Sequence, residues 1–246
     1  MIKSWQTAFY ASILSLLTLS VQSQNSNPGS QAPSERSAFP SESAGYWSIS
    51  NSFQLSFADV HYDGSTTSKI SIPRITWILN AGAHYHYDFS ENAAVYTGVE
   101  VTNLGVIIKT SGVKHKRRVY TLGVPLAFEL GSLKWANFFA GIQIDRAFQY
   151  QEKLKVGDSV QSKFGEWWSD RTPHVMGSWF IGARFFHAIF FKIQPYFTNF
   201  FNENYVDGTG ARPYAGTTAK PILFCAGIDI PLGKKYMFMS HSPGKK

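Results

Sequence analysis

Apolar and polar residues alternate along most of this chain, with a period of two. From Val119 to Ile144, Tyr120, Leu122, Val124, Leu126, Phe128 and Leu130 share one parity. Thr121, Gly123, Ala127 and Glu129 share the other. Past a turn at Gly131-Ser132, Phe138, Ala140, Ile142 and Ile144 form a second apolar row, with Gly141, Gln143 and Asp145 between them. Side chains on a strand point alternately to opposite faces. The segment therefore predicts a hairpin with one apolar face and one small or polar face.

The pattern recurs along the chain. A first strand is predicted over Tyr46–Phe57, where Trp47, Ile49, Phe53, Leu55 and Phe57 oppose a row of serines and Gln54. A second, about Arg74–Tyr87, sets Ile75, Trp77, Leu79, Ala81, Ala83, Tyr85 and Tyr87 against Thr76, Asn80, Gly82, His84 and His86. The third covers about Ala94–Ile107, and the hairpin above supplies the fourth and fifth. A sixth over Val175–Phe185, a seventh around Phe191–Phe197 and an eighth around Ile222–Ile230 follow. Connections after strands one, three, five and seven read as long, and those after two, four and six as short. Every second connection of an up-and-down barrel emerges at the same end, and outer-membrane barrels have short periplasmic turns and long external loops. The expected fold is all-β: an eight-stranded antiparallel up-and-down transmembrane β-barrel over 46–232, apolar rows facing lipid. Pro125 sits inside a central strand, where it removes a ladder donor and predicts a bulge or a locally open register.

Composition fits this reading. Aromatic residues make up 16% of the 246 residues and charged ones 16%, against a usual quarter charged. The mean hydropathy of −0.14 looks soluble, but lumenal residues dilute lipid-facing ones in a barrel. Met1–Ser23 has Lys3, an apolar run from Ala8 to Leu19, and Val21 and Ser23 before Gln24. That predicts a cleaved secretory signal peptide. Residues 24–45 read as a disordered lead-in and 233–246 as a basic periplasmic tail. Cys225 is the single cysteine, which excludes an intrachain disulfide framework. The net charge of +7 comes with no nucleic-acid-binding module, so no nucleic-acid partner is expected.

Parity places Glu100, Glu129, Asp145, Arg184, Lys192 and Asp229 in the lumen. Eight strands enclose an interior that side chains just fill. Such charges must pair or stay wet, so a structural plug is expected rather than a pore. His84 and His86, two apart on one face, suit lumenal hydrogen bonding better than a metal site, for which further ligands are missing. Lys109, Lys114, Lys116, Arg117 and Arg118 cluster in a predicted external loop suited either to lipopolysaccharide phosphates or to simple solvation. Trp47, Trp77, Trp167, Trp168 and Trp179 are candidates for the interface girdles. His241-Ser242 lies outside the barrel, and no G-x-S-x-G, H-E-x-x-H or phosphate-loop motif occurs. No catalytic, cofactor or metal residue is assigned.

The signal peptide ending in VQSQ, the phrase YDFSENAAVYTGVEV, the strand VYTLGVPLAFELG and the following FFAGIQID resemble outer-membrane β-barrel proteins of Bacteroidota, nearest to the PorT-like group of small barrels. The resemblance spans roughly 46–232. It implies fold and outer-membrane location, and it suggests a link to protein secretion. One departure is that the last strand ends at Ile230-Pro231-Leu232 without a terminal aromatic residue. The expected function is a non-enzymatic outer-membrane barrel with a structural, adhesive or assembly role, its loops contacting lipopolysaccharide or a protein partner. The alternatives are a small lipid-modifying outer-membrane enzyme and an exported soluble barrel holding an apolar ligand.

Overall fold

The computed structural model describes residues 45–61, 69–77, 79–110, 113–157 and 159–232. The expected signal peptide, most of the lead-in, the basic tail and His241-Ser242 lie outside the described residues.

Eleven strands form: β1 (Gly45–His61), β2 (Lys69–Ile70), β3 (Arg74–Thr76), β4 (Ala81–Ser90), β5 (Ala93–Thr110), β6 (Val113–Ser132), β7 (Ala136–Val156), β8 (Ser159–Trp167), β9 (Val175–Phe185), β10 (Ile189–Pro195) and β11 (Thr218–Leu232). Neighbours run antiparallel in the order β1-β4-β5-β6-β7-β9-β10-β11, and β11 closes onto β1. The wall therefore has eight positions. β3 continues the β4 position against β1, β2 pairs back onto the upper part of β1, and β8 is an addition beside β7. Starting at Gly45, paired residues run through Tyr87, Val95, Phe128, Ala140, Ile181, Ile193 and Phe224 back to Leu55 on β1. The circuit returns ten residues further along β1. A ring of eight strands with that stagger tilts them by roughly 40°.

The apolar parity lies outside. Leu122, Val124, Leu126, Phe128 and Leu130 on β6, Ile142 and Ile144 on β7, and Ile228 and Ile230 on β11 are all exposed. Their alternates are buried in the lumen. This excludes the soluble barrel with an apolar cavity, whose apolar rows would face inward. Trp47, Tyr85, Tyr87 and Phe89, with Trp135 and Phe186 in the turns, expose rings at the short-turn end. Trp77, Trp167 and Trp168 are exposed toward the other end, and Trp179 lies within the belt between.

Several elements differ from the sequence expectation. The second strand breaks between Thr76 and Ala81, where Leu79 adopts a φ of 61°. Asn80 fills the break, its amide nitrogen 3.4 Å from Thr76 O and its Oδ1 accepting from Asn103 N at 3.0 Å. At Pro125 there is no bulge. β5 pairs Thr97 with Leu126 and Glu100 with Gly123 in unchanged register, and the ladder opens between them. The Thr97 hydroxyl donates to Pro125 O at 2.8 Å, which uses the carbonyl left over where the proline has no N–H. The register shift falls higher, at Tyr120/Thr121, where Phe148 is the extra residue. The turn between β9 and β10 is centred on Phe186-His187, one residue earlier than expected, both at positive φ. These two left-handed residues reverse the chain, with Ala188 N donating to Phe185 O at 3.1 Å, in a three-residue connection between the paired Phe185 and Ile189.

The largest difference concerns the long end. Within the stretches read as the loops 109–118 and 151–173, residues 109–110, 113–118, 151–156 and 159–167 are strand. β5 and β6 remain paired up to Thr110–Val113, β7 runs on to Val156, and β8 folds back along it. The wall thus rises well beyond the apolar belt as a four-stranded extension.

Candidate functional site

Alternate residues of each wall strand converge on a narrow axis, so the interior is a stack of side-chain layers. Nearest the short turns, Glu129 (β6), Arg184 (β9) and Asp229 (β11) meet across the lumen, each pair skipping a strand. Arg184 donates through Nη1 to Glu129 and through Nη2 to Asp229 at 2.8 Å. His86 lies beside both carboxylates, 3.5 Å from Glu129 and 3.6 Å from Asp229, with Tyr46 stacked on its ring at 4.8 Å. His84 Nδ1 is 3.8 Å from Asp229. Tyr96 and Phe139 flank the guanidinium at 5.7 and 5.6 Å.

In the next layer Lys192 from β10 crosses to Glu100 on β5, with Nζ 3.1 Å from both carboxylate oxygens. The same ammonium lies 5.2 Å from the Phe180 ring centre. Above it, Asp145 accepts from Thr121, Gln143 and Tyr196, each at 3.0 Å. Gly123 stands opposite Asp145, and a side chain there would collide with this donor shell. Aromatic rings fill the remaining width. Phe180 lies over its partner Gly141, and Phe139 over its partner Gly182, both positions where a Cβ would meet the ring. The void between His84, Glu100, Arg184, Phe190 and Lys192 is about 10 Å³, at the limit for a single water.

The top of the lumen is apolar. Leu104, Val106, Val119, Ala147 and Tyr150 from the wall pack with Phe200, Phe201 and Tyr214 from the β10–β11 connection. Phe201 and Tyr214 stack at 4.9 Å, and the Arg117 guanidinium lies 5.3 and 5.5 Å from their centres. Glu152 accepts from Arg117 Nε at 2.9 Å. This connection is therefore a lid folded into the barrel mouth.

The lumenal six, Glu100, Glu129, Asp145, Arg184, Lys192 and Asp229, are brought into these two ion-pair layers and the Asp145 layer. The basic five divide. Arg117 turns inward to the lid. Lys109, Lys114, Lys116 and Arg118 lie on the outer face of the extension, with Arg118 bound to Gln151. Lys153, Lys155 and Lys163 join them from β7 and β8. The inward aromatics Tyr96, Phe139, Phe180 and Phe190 escape parity reasoning that looks only for polar residues. For Phe139, Phe180 and Phe190 the signal is a phenylalanine at an inward position beside a glycine on the next strand.

Two arrangements invite chemistry. His84, His86 and Asp229 offer ligand atoms within 4.8 Å of one another. Arg184 already occupies Asp229 Oδ2, so a metal ion would sit beside a guanidinium. Ser48 Oγ is 3.0 Å from His86 Nε2, and Glu129 is 3.5 Å from the other ring nitrogen. That order of groups resembles a nucleophile, base and carboxylate. Ser48 is buried in the lumen wall, however, and the adjoining space admits no substrate. Ser48 is hydrogen-bonded to His86, while His84 and His86 meet the Asp229 and Glu129 carboxylates only at 3.5–3.8 Å, as an electrostatic cluster.

Asp145, with three neutral donors and no cationic partner among the described residues, should tolerate neutralisation. In Asp145→Asn the amide oxygen accepts from Thr121 and Gln143, and the amide nitrogen meets the Tyr196 oxygen. A change within about 1 kcal/mol is expected, read from urea unfolding in detergent. A loss of several kcal/mol would show that the charge itself is needed.

The closed ring, the apolar exterior and the filled interior define an eight-stranded transmembrane β-barrel. No family model matches the chain, and no curated protein matches it. Solved structures similar to it include Ail, the attachment invasion locus protein of Yersinia pestis (10% identity over 75% of this chain and 99% of that one, TM-score 0.38). Neisserial surface protein A is 8% identical over 75% and 96%, with a TM-score of 0.35. The outer membrane protein OprG of Pseudomonas aeruginosa is 12% identical over 76% and 95%, with a TM-score of 0.32. The class rests on this chain's own ladder.

Proposed function

We propose that this is a non-enzymatic outer-membrane β-barrel protein, closed to solutes, which acts through the extension at its long-connection end. The filled lumen inside an apolar belt carries the reading. An eight-stranded wall whose interior is occupied by Arg184, Lys192, Tyr96, Phe139 and Phe180 leaves no path for a solute. An apolar exterior needs lipid, and strands cross a membrane only as a closed barrel. The predicted signal peptide supports export to the outer membrane. The sequence resemblance supports membership of the PorT-like barrels of Bacteroidota. Function then falls to the surface that projects beyond the belt, which contacts lipopolysaccharide or a protein partner.

The test is heat modifiability. Refolded in detergent micelles, the protein should migrate faster unboiled than boiled, and it should give no stepwise conductance in a planar bilayer. Solubility without detergent would overturn the membrane reading, and regular conductance steps would overturn the plugged lumen.

A further inference from the structure

The outer face of the extension carries an array of lysines. Lys116 on β6 is paired with Lys153 on β7, and Lys153 with Lys163 on β8. One row higher, Lys109 on β5 is paired with Lys114, and Lys114 with Lys155. Six ammonium groups thus stand in two rows of three, on strands about 4.8 Å apart. Glu152 and Glu166, the acidic residues described on these strands above the belt, are on the parity that faces the lid. Like charges placed directly opposite destabilise a sheet. Partial burial and the neighbouring Arg118, Lys163, Lys116 and Lys155 hold the Lys153 ammonium below its usual range. The fold alone gains nothing from this arrangement, and a multiply charged anion would relieve it.

Position narrows the anion. The array faces sideways, on the same parity as Leu122 and Val124, and not upward into solvent. Lys116 is six residues above Leu122, roughly 15 Å beyond the lipid-facing belt for a strand tilted near 40°. In a lipopolysaccharide leaflet that is the depth of the core sugars, above the lipid headgroups. Resting on the outer-membrane reading above, we propose that Lys109, Lys114, Lys116, Lys153, Lys155 and Lys163 form a lateral binding site for the phosphate and carboxylate groups of lipopolysaccharide core sugars.

The test uses the full chain refolded in detergent, with three probes: lipopolysaccharide carrying core sugars, lipid A without them, and inorganic polyphosphate. Wild type should bind the core-bearing form more tightly than lipid A, less so at high salt. The triple variant Lys116→Glu/Lys153→Glu/Lys163→Glu should lose roughly tenfold or more of that affinity. Lys134→Glu, in a short turn, should lose none. The triple variant keeps like charges opposite one another within its row but sets them against the lysine row above, so its hairpin should resist protease about as well as wild type, which separates lost binding from lost structure. If it fails to show the unboiled band shift, Lys114→Glu/Lys155→Glu replaces it. Unchanged affinity in a folded variant overturns the proposal, as do equal binding of core-bearing and core-free forms, or binding of polyphosphate alone. A wild-type protein that shows no band shift in detergent instead overturns the membrane reading.

Discussion

Arg184→Ala is expected to destabilise the barrel by about 3–5 kcal/mol. Arg184 is buried between Glu129 and Asp229, two buried carboxylates with His86 as their nearest other neighbour. Removing the guanidinium leaves both charges inside a low-dielectric wall with no water to replace it. Breaking one side of a buried ion pair costs far more than the intact pair contributes. The triple change Arg184→Met/Glu129→Gln/Asp229→Asn should therefore recover most of the loss, because it removes the charges together. Urea titration in detergent, followed by the unboiled gel band, reads both variants as shifts in midpoint. A loss below about 1 kcal/mol for Arg184→Ala would mean that the layer is open to water.

Phe201→Ala should release the lid without unfolding the wall. Phe201 is fully buried, stacked on Tyr214 and covered by Arg117. Truncating a buried phenylalanine costs about 3–5 kcal/mol. The connection 196–217 is held in the mouth largely by this cluster, so the cost falls on local opening. Proteinase K should cut this connection much faster in the variant, while the unboiled band shift stays intact. Equal cleavage rates would show that Phe201 does not anchor the lid.

The fold was largely legible because a membrane barrel writes its architecture into alternation. Lipid on one side and a narrow interior on the other impose opposite demands on neighbouring residues. Leu122 and Gly123, or Ile144 and Asp145, show the contrast directly. The charged lumenal positions follow from the same parity. Their partners do not, because Glu129, Arg184 and Asp229 belong to strands that never pair with one another. Which of them meet depends on the ten-residue stagger, and stagger leaves no trace in any single strand. The long end is hidden from the sequence for a related reason. Lysine-rich stretches such as 114–118 and 151–155 lack apolar alternation, since neither face meets lipid. They look like loops, yet the β5–β6 and β6–β7 ladders continue through them.

By itself the sequence determined the eight wall positions, the parity and the lipid-facing surface, since each is set by the local choice between apolar and polar at successive positions. The tertiary structure decided everything that needs two distant strands at one height. It set the crossing of Lys192 to Glu100, the guanidinium shared by Glu129 and Asp229, the fold of the 196–217 lid into the mouth, and the gathering of six lysines from four strands onto one face. The physical reason is the shear of the closed barrel, which fixes the relative height of every strand only when the last one pairs with the first.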